Sequence, residues 1–311
     1  MAWLTQVLCT SYSAARMILH PFRVIRALKG SAIRLARKLS GLRARPKAPV
    51  LSGSVSDILT RHEGLCRKLL MLLPENYPLV DTIACEAGPG DCLATAATVL
   101  ALGAKKVDLV ELQPPVLNAK QREVIDALSQ KGIPVDTNIL WQGDSVQLNP
   151  EKVSYHTGFM DDYVAPERYS LVYSFCVLEH VEDIEQFFKS CYDATQPGGI
   201  NIHMIDLGGH GQFEDPTPPL DFQTYPDWLY SMMYPKFERA TRRFLHEYLQ
   251  VLKSKGFEIE KVHYLRNAEP EYLAKIFPKL RSAARAVPVE ELAVIEFAVV
   301  ARKPASTAGT N

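Results

Sequence analysis

The sequence predicts an α/β fold, a mostly parallel sheet with helices on both faces, and three observations predict it. Short apolar runs alternate with helical segments from residue 79 onward, and parallel strands joined by crossover helices are the arrangement that buries such runs. A Gly-x-Gly turn, Gly88-Pro89-Gly90, separates one apolar run from an Ala-rich segment. The next apolar run ends in an acid, Glu111, 21 residues beyond Gly90.

Taken in order, residues 79–85 read as a buried strand. Residues 93–102 read as a helix, with no breaker before a Gly cap at Gly103. Residues 106–110 form the second strand and 135–141 the third, followed by Gln142-Gly143-Asp144-Ser145. The fourth strand covers 169–174, a helix covers 183–195, and Gln196-Pro197-Gly198-Gly199 turns the chain into a fifth strand at 200–205. A helix over 240–255, a strand over 258–265, a helical segment over 270–286 and a strand over 292–301 complete the pattern.

The turn at Gly88 and Gly90 sits where a nucleotide would lie. Glycines remove Cβ atoms where backbone approaches a ligand, and the following helix N-terminus offers free amides. An acid about 20 residues further on is placed to bond ribose hydroxyls, which is the position of Glu111. A dinucleotide fingerprint would need a third glycine, but Leu93 stands there, and no lysine marks a P-loop. Glu86 and Asp91 flank the turn instead. Two carboxylates repel a pyrophosphate and suit a ligand that carries an ammonium and a sulfonium.

With these residues the chain resembles the class I S-adenosylmethionine-dependent methyltransferases, whose first motif is acid-x-Gly-x-Gly. The motif's third small position departs from the pattern, holding Cys92 where Gly, Ser or Thr is commoner. The segment Phe175-Cys176-Val177-Leu178-Glu179-His180-Val181 is similar to the family's Leu-Glu-His-Val stretch, and Pro197-Gly198-Gly199 before a strand also recurs there. The resemblance covers residues 79–206, weakens in the C-terminal third and is absent from the first fifty residues.

It implies a Rossmann-like seven-stranded sheet and S-adenosyl-L-methionine as cofactor. The implied cofactor contacts are Glu86, Ala87, Gly88, Gly90 and Asp91 at the first turn, and Glu111 with Leu112 at the ribose. Gly143, Asp144 and Ser145 are implied at the adenine, and Phe175 with Cys176 after the fourth strand. The acceptor is implied beyond the ends of strands four and five, where His180, Asp206 and His210 are the candidate bases. Plainer roles stand beside these: Asp206 caps a turn, and His180 is a histidine satisfied by its neighbours.

The neutral total charge hides an asymmetry. Residues 1–50 hold ten Lys or Arg and no acid, which leaves the other 261 with a net charge of −10. Within this basic arm Ile18, Phe22, Ile25, Leu28, Ala32, Leu35, Leu39 and Leu42 make one apolar stripe at helical spacing. Three readings stay open for this basic amphipathic helical N-terminal arm. It lies on an anionic membrane surface through residues 16–45, it is an organellar transit peptide, or it docks on its own domain or a second subunit. No apolar run reaches the roughly 18 residues of a membrane span. The acidic remainder of the chain argues against nucleic acid as partner.

The six cysteines, scattered from Cys9 to Cys191, show no metal-ligand spacing. They read as small core residues in a reducing, cytoplasmic setting, and no metal is expected. Residues 207–238 are rich in aromatics, with Phe213, Phe222, Tyr225, Trp228, Tyr230 and Tyr234 beside Met232 and Met233. They read equally as a substrate-side lid or as a cap on the sheet edge. Arg239, Arg242 and Arg243 open the following helix, where they could receive an anionic group or simply be solvated.

The expected organisation is an arm (1–50), a methyltransferase domain (51–304) and a disordered tail (305–311). The expected activity is methyl transfer to a small-molecule acceptor, an apolar or lipid-like one among the candidates, at oxygen before nitrogen or carbon. An aminopropyltransferase-like enzyme and a catalytically silent scaffold protein on the same fold are the alternatives, and the oligomeric state stays open.

Overall fold

The computed structural model describes residues 54–305 apart from 116, 144, 146, 164–165, 210–217 and 234–239. The basic arm, Asp144, His210, Arg239 and residues 306–311 of the expected tail therefore lie outside the described residues.

Seven strands form one sheet in the order β3-β2-β1-β4-β5-β7-β6. They are β1 (Ile83–Ala87), β2 (Lys106–Glu111), β3 (Val153–Thr157), β4 (Tyr169–Phe175), β5 (Thr195–Asp206), β6 (Glu258–Asn267) and β7 (Val294–Arg302). The first five are parallel, and β7 slots between β5 and β6 antiparallel to both.

Helices cover both faces, as the alternating pattern requires. On one face lie α1 (Val55–Leu72), α2 (Ala94–Ala101), α3 (Ala119–Gln130) and α4 (Thr137–Leu140), packed over the inward side chains of the sheet. On the other lie α5 (Ile184–Ala194) and, beyond α6 (Asp227–Met233), α7 (Leu245–Ser254). Three short helices follow, α8 (Pro270–Ile276), α9 (Ser282–Arg285) and α10 (Val289–Leu292), whose apolar side chains close a smaller cluster with Leu220 and Ile295.

Several local differences from the sequence reading have clear causes. The third strand is not 135–141. Asp136 accepts a hydrogen bond from the amide of Asn138 and starts α4, so Thr137, Leu140 and Trp141 pack as one helical face. The strand is Val153–Thr157 instead, an edge strand buried fully only at Val153, so it lacks the apolar run that marks a central strand. The first strand starts at Ile83 rather than at 79, because Asp81 takes a left-handed φ of 60° in a preceding turn. The helix expected from 240 starts at Leu245, because Arg242 is also left-handed, at φ 64°.

One element was not anticipated. Helix α1 begins in a capping box, where Ser54 accepts from the amide of Asp57 and Asp57 accepts from Ser54. It buries Ile58, His62, Cys66, Leu69 and Leu72 at spacings of three and four.

Candidate active site

The C-terminal ends of the parallel strands share one edge of the sheet, where open α/β sheets bind their ligands. At the β1 end, Gly88 and Gly90 take left-handed φ values of 72° and 67°, but they are glycines for different reasons. A Cβ on Gly88 would lie 2.3 Å from Cγ2 of Val177, so this glycine lets the segment after β4 press against the turn. A Cβ on Gly90 would meet nothing within 4 Å, so this glycine faces open space.

Glu111 ends β2 beside it. One carboxylate oxygen accepts from the Gly90 amide at 3.2 Å and the other from the Leu112 amide at 2.7 Å. Glu111 thus spans the mouth of the open turn. Thr157 is the register partner of Glu111, and the Gly158 amide donates to the Glu111 carbonyl. Just past this pair stand two apolar side chains open to solvent, Leu112 (43 %) and Phe159 (45 %).

The other two carboxylates of the turn face inward. Glu86 is 3 % exposed, with the hydroxyl of Thr95 donating to one oxygen at 2.6 Å and that of Tyr173 to the other at 2.9 Å. Burial pushes its carboxyl up to about 7 against the pull of those two bonds. Glu86 therefore braces β1 against α2 and β4 from beneath the turn. Asp91 turns toward α1, where Arg61 and His62 stand 3.7 Å away. Against the burial that would raise it, those two neighbours hold its carboxyl below the usual range. Ala87 is buried in the strand end, as is the ring of Phe175.

At the β4 and β5 ends the chemistry changes. Cys176 is exposed, with a left-handed φ of 55°. A single 3-10 turn, Leu178–His180, follows it and leaves His180 half-buried. Glu179 in that turn is 2 % exposed, and burial pushes its carboxyl well above the usual range, with Asp206 and Glu296 pushing further. Asp206 and Glu296 are register partners across β5 and β7. Arg266 bonds Asp206 at 3.1 Å and lies 3.6 Å from Glu296, while Lys68 of α1 bonds Glu296 from the opposite side. Asp206 also accepts from the Gly208 amide at 2.7 Å, so it is both turn cap and ion-pair partner.

Among the expected site residues, then, Gly88, Gly90, Glu111 and Leu112 meet at one end of this edge, and Cys176, His180 and Asp206 at the other. Gly143 and Ser145 do not follow the third strand: they lie in the turn between α4 and β3, with the Gly143 carbonyl held by Arg122 and the Ser145 hydroxyl bonded to the Gln142 carbonyl. The motif-like Gly-Asp-Ser drew the reading there because an amphipathic edge strand such as β3 gives little apolar signal. Phe159 was missed for the same reason. Glu179 stood inside the quoted Leu-Glu-His-Val segment, but only burial singles it out. Nothing in the sequence joins Lys68 or Arg266 to the site.

Arg242 and Arg243 precede α7 rather than opening it, and neither is a solvated helix arginine. Arg242 is 6 % exposed and bonds Asp227 and the Tyr225 carbonyl, while Arg243 bonds the Val181 and Glu182 carbonyls.

Residues 85–202 match the family model of the methyltransferase domain. That match, on a seven-stranded sheet whose last strand inserts antiparallel, supports a class I S-adenosylmethionine-dependent methyltransferase domain with S-adenosylmethionine as cofactor. No curated protein sequence matches the chain. Among solved structures, an S-adenosylmethionine-dependent methyltransferase from Mesorhizobium loti is similar at 18 % identity and a TM-score of 0.44, covering 76 % of this chain and 96 % of its own. Phosphoethanolamine N-methyltransferase 2 of Haemonchus contortus, in complex with S-adenosyl-L-methionine, is similar at 16 % identity and a TM-score of 0.43, covering 82 % of this chain and 61 % of its own.

Proposed function

We propose that the protein transfers a methyl group from S-adenosylmethionine to an oxygen of a small-molecule acceptor seated beyond the ends of β4 and β5. The observation that carries the reading is the open face of Gly90 with the Glu111 carboxylate set across it. S-adenosylmethionine supplies an already activated methyl group, so the protein's share is to bind, to align and to remove a proton. Glu111 would hold the ribose hydroxyls, and Leu112 and Phe159 would take the two faces of the adenine.

An oxygen acceptor must lose its proton, and imidazole accepts one near neutral pH. His180, half-buried in the turn after β4, is the described residue we assign to that task. Asp206 is engaged by Arg266 and Gly208, and we give it a wall-building part. The acid-free basic arm would draw the enzyme to anionic surfaces, which vesicle binding by chains with and without residues 1–48 reads directly.

Calorimetric titration with S-adenosylmethionine and its demethylated product tests the cofactor site, with micromolar binding expected. A labelled methyl donor offered with matched hydroxyl and amine acceptors then tests the chemistry. Label found on amines but never on hydroxyls would refute the oxygen assignment, and no binding by folded protein would refute the whole reading.

A further inference from the structure

A cleft of about 320 Å³ lies between α6 and the segment that leads into α7, and three arginines line it: Arg242, Arg243 and Arg281. Among the described lining residues the acids are Asp227 and Glu182, so there the cations outnumber the anions. Asp227 is largely exposed, its side chain 79 % accessible, and solvent weakens what it can neutralise.

Asp227 bonds Arg242 at 3.1 Å and lies 3.8 Å from Arg281, and the other hydrogen bonds of the guanidiniums among the described residues go to neutral groups. Arg243 donates to the main-chain carbonyls of Val181 and Glu182. Arg281 donates to Oε1 of Gln223 at 2.8 Å and to the Arg242 carbonyl at 2.9 Å. Arg242 donates to the Tyr225 carbonyl and lies over the Tyr230 ring at 4.6 Å. Carbonyls and rings fix the direction of a guanidinium without cancelling its charge. Burial pushes the Arg281 guanidinium below its usual range, with Asp227 and Glu247 opposing that.

Like charges gathered in a half-closed space repel one another and lose hydration. The fold tolerates this and also holds Arg242 at a left-handed φ of 64°, a strained conformation for a residue other than glycine. Such an arrangement suits an incoming oxyanion, which is stabilised by charge-assisted bonds from guanidiniums already in place. Donors on separate walls favour a tetrahedral group over a planar carboxylate, which one arginine can satisfy.

The cleft is one short segment away from the methyl-transfer edge. Val177 presses on the cofactor turn at Gly88, and the Glu179 carbonyl accepts from the Thr241 amide at 2.8 Å. Val181 and Glu182 are the carbonyl partners of Arg243. Residues 177–182 thus form a wall with the cofactor turn on one side and the arginines on the other.

We propose that this cleft binds a phosphoryl group of the methyl acceptor, so that the substrate is a small phosphate ester or a molecule with a phosphate headgroup. The inference rests on the methyltransferase reading for the word acceptor, while the anion site itself can be tested without it.

The test is titration of the full-length protein with inorganic phosphate, followed by calorimetry and by thermal unfolding, against chloride and acetate at equal ionic strength. Saturable phosphate binding in the low-millimolar range or tighter is expected, weakened at least tenfold in Arg281→Gln and in Arg243→Gln, with Arg281→Lys keeping part of it. S-adenosylmethionine affinity, measured alongside, should stay within twofold in all three variants. The proposal is overturned if wild-type protein shows no saturable phosphate binding, if both glutamine variants bind phosphate as wild type does, or if phosphate displaces the cofactor product. Loss of S-adenosylmethionine binding alone would instead count against the methyltransferase reading. A soluble phosphate ester that competes with inorganic phosphate would point to a free metabolite. Competition only by vesicles containing phosphate-headgroup lipid would point to a membrane source.

Discussion

The two ends of one sheet edge are built on opposite plans. At the β1–β2 end the groups proposed to face the cofactor come, apart from Phe159, from one short stretch of chain, Gly88 to Leu112, and the Glu111 carboxylate bonds backbone amides. At the β4–β5 end the polar groups come from across the sequence, and one pair, Lys68 with Glu296, spans 228 residues. In the proposed reading the first end takes a ligand common to a whole class of enzymes, and a contiguous motif suffices. The second is assembled by tertiary packing alone, and its carboxylates and arginines constrain one another.

Five substitutions can break or sharpen that contrast. His180→Gln should slow methyl transfer by about a hundredfold or more, the usual range for loss of a general base, and leave the affinity for S-adenosylmethionine intact. An unchanged rate across the pH profile would remove His180 from the chemistry.

The two glycines of the turn should separate next. Gly88→Ala drives a methyl toward Val177 and should cost about 2–4 kcal/mol of stability, from overpacking and left-handed strain together. Gly90→Ala meets only the backbone strain, about 1 kcal/mol, and should damage cofactor binding more than folding. Equal losses in denaturant titrations would mean that the Val177 contact is not limiting.

Glu111→Ala should weaken cofactor binding by roughly 1.5–3 kcal/mol, the range for hydrogen bonds to a charged group. Calorimetry that returns an unchanged dissociation constant would show the ribose to lie elsewhere.

The smallest effect concerns Glu86. Its folded carboxyl titrates near 7 against a usual 4.5, because burial favours the protonated form. The stability it contributes is full below about 4.5 and is lost as pH rises through 7. Glu86→Gln cannot titrate, so cofactor-free wild type should fall behind the variant between pH 5 and pH 8, by about 1–3 kcal/mol at the upper end. Melting curves that stay parallel over that interval would contradict the buried neutral carboxyl.

His203 works in the other direction: its buried ring is pushed down to about 3, so its contribution is present above about 6.5 and lost as pH falls. Wild type should therefore be most stable between these two losses.

Legibility in the sequence followed the same divide. The turn, its helix, the acid of β2 and strands β4 and β5 could be read because central strands are continuously apolar and glycines mark left-handed backbone. Strand β3 could not, because an edge strand alternates weakly, and a nearby Gly-Asp-Ser imitated its ending. Cys66, Cys85, Cys92 and Cys191 are buried as expected, whereas Cys176 is exposed at the site. Arg242 and Arg243 were noticed as a cluster, but their fixing to the carbonyls of residues 181, 182 and 225 depends on how distant segments pack. Sequence spacing carries no trace of that.

The place of β7 has a consequence for how the chain is made. Among the described residues it is the last strand in order, yet it lies between β5 and β6, and β6 pairs with it alone. Until residues 294–302 leave the ribosome, β5 presents an open edge and β6 has nothing to pair with. Unpaired edges recruit other chains, so the nascent protein passes through a vulnerable interval that closes only with its final strand. A stop or frameshift shortly before residue 294 would leave most of the site's residues synthesised and the sheet permanently open, a product for chaperones and proteases rather than for catalysis.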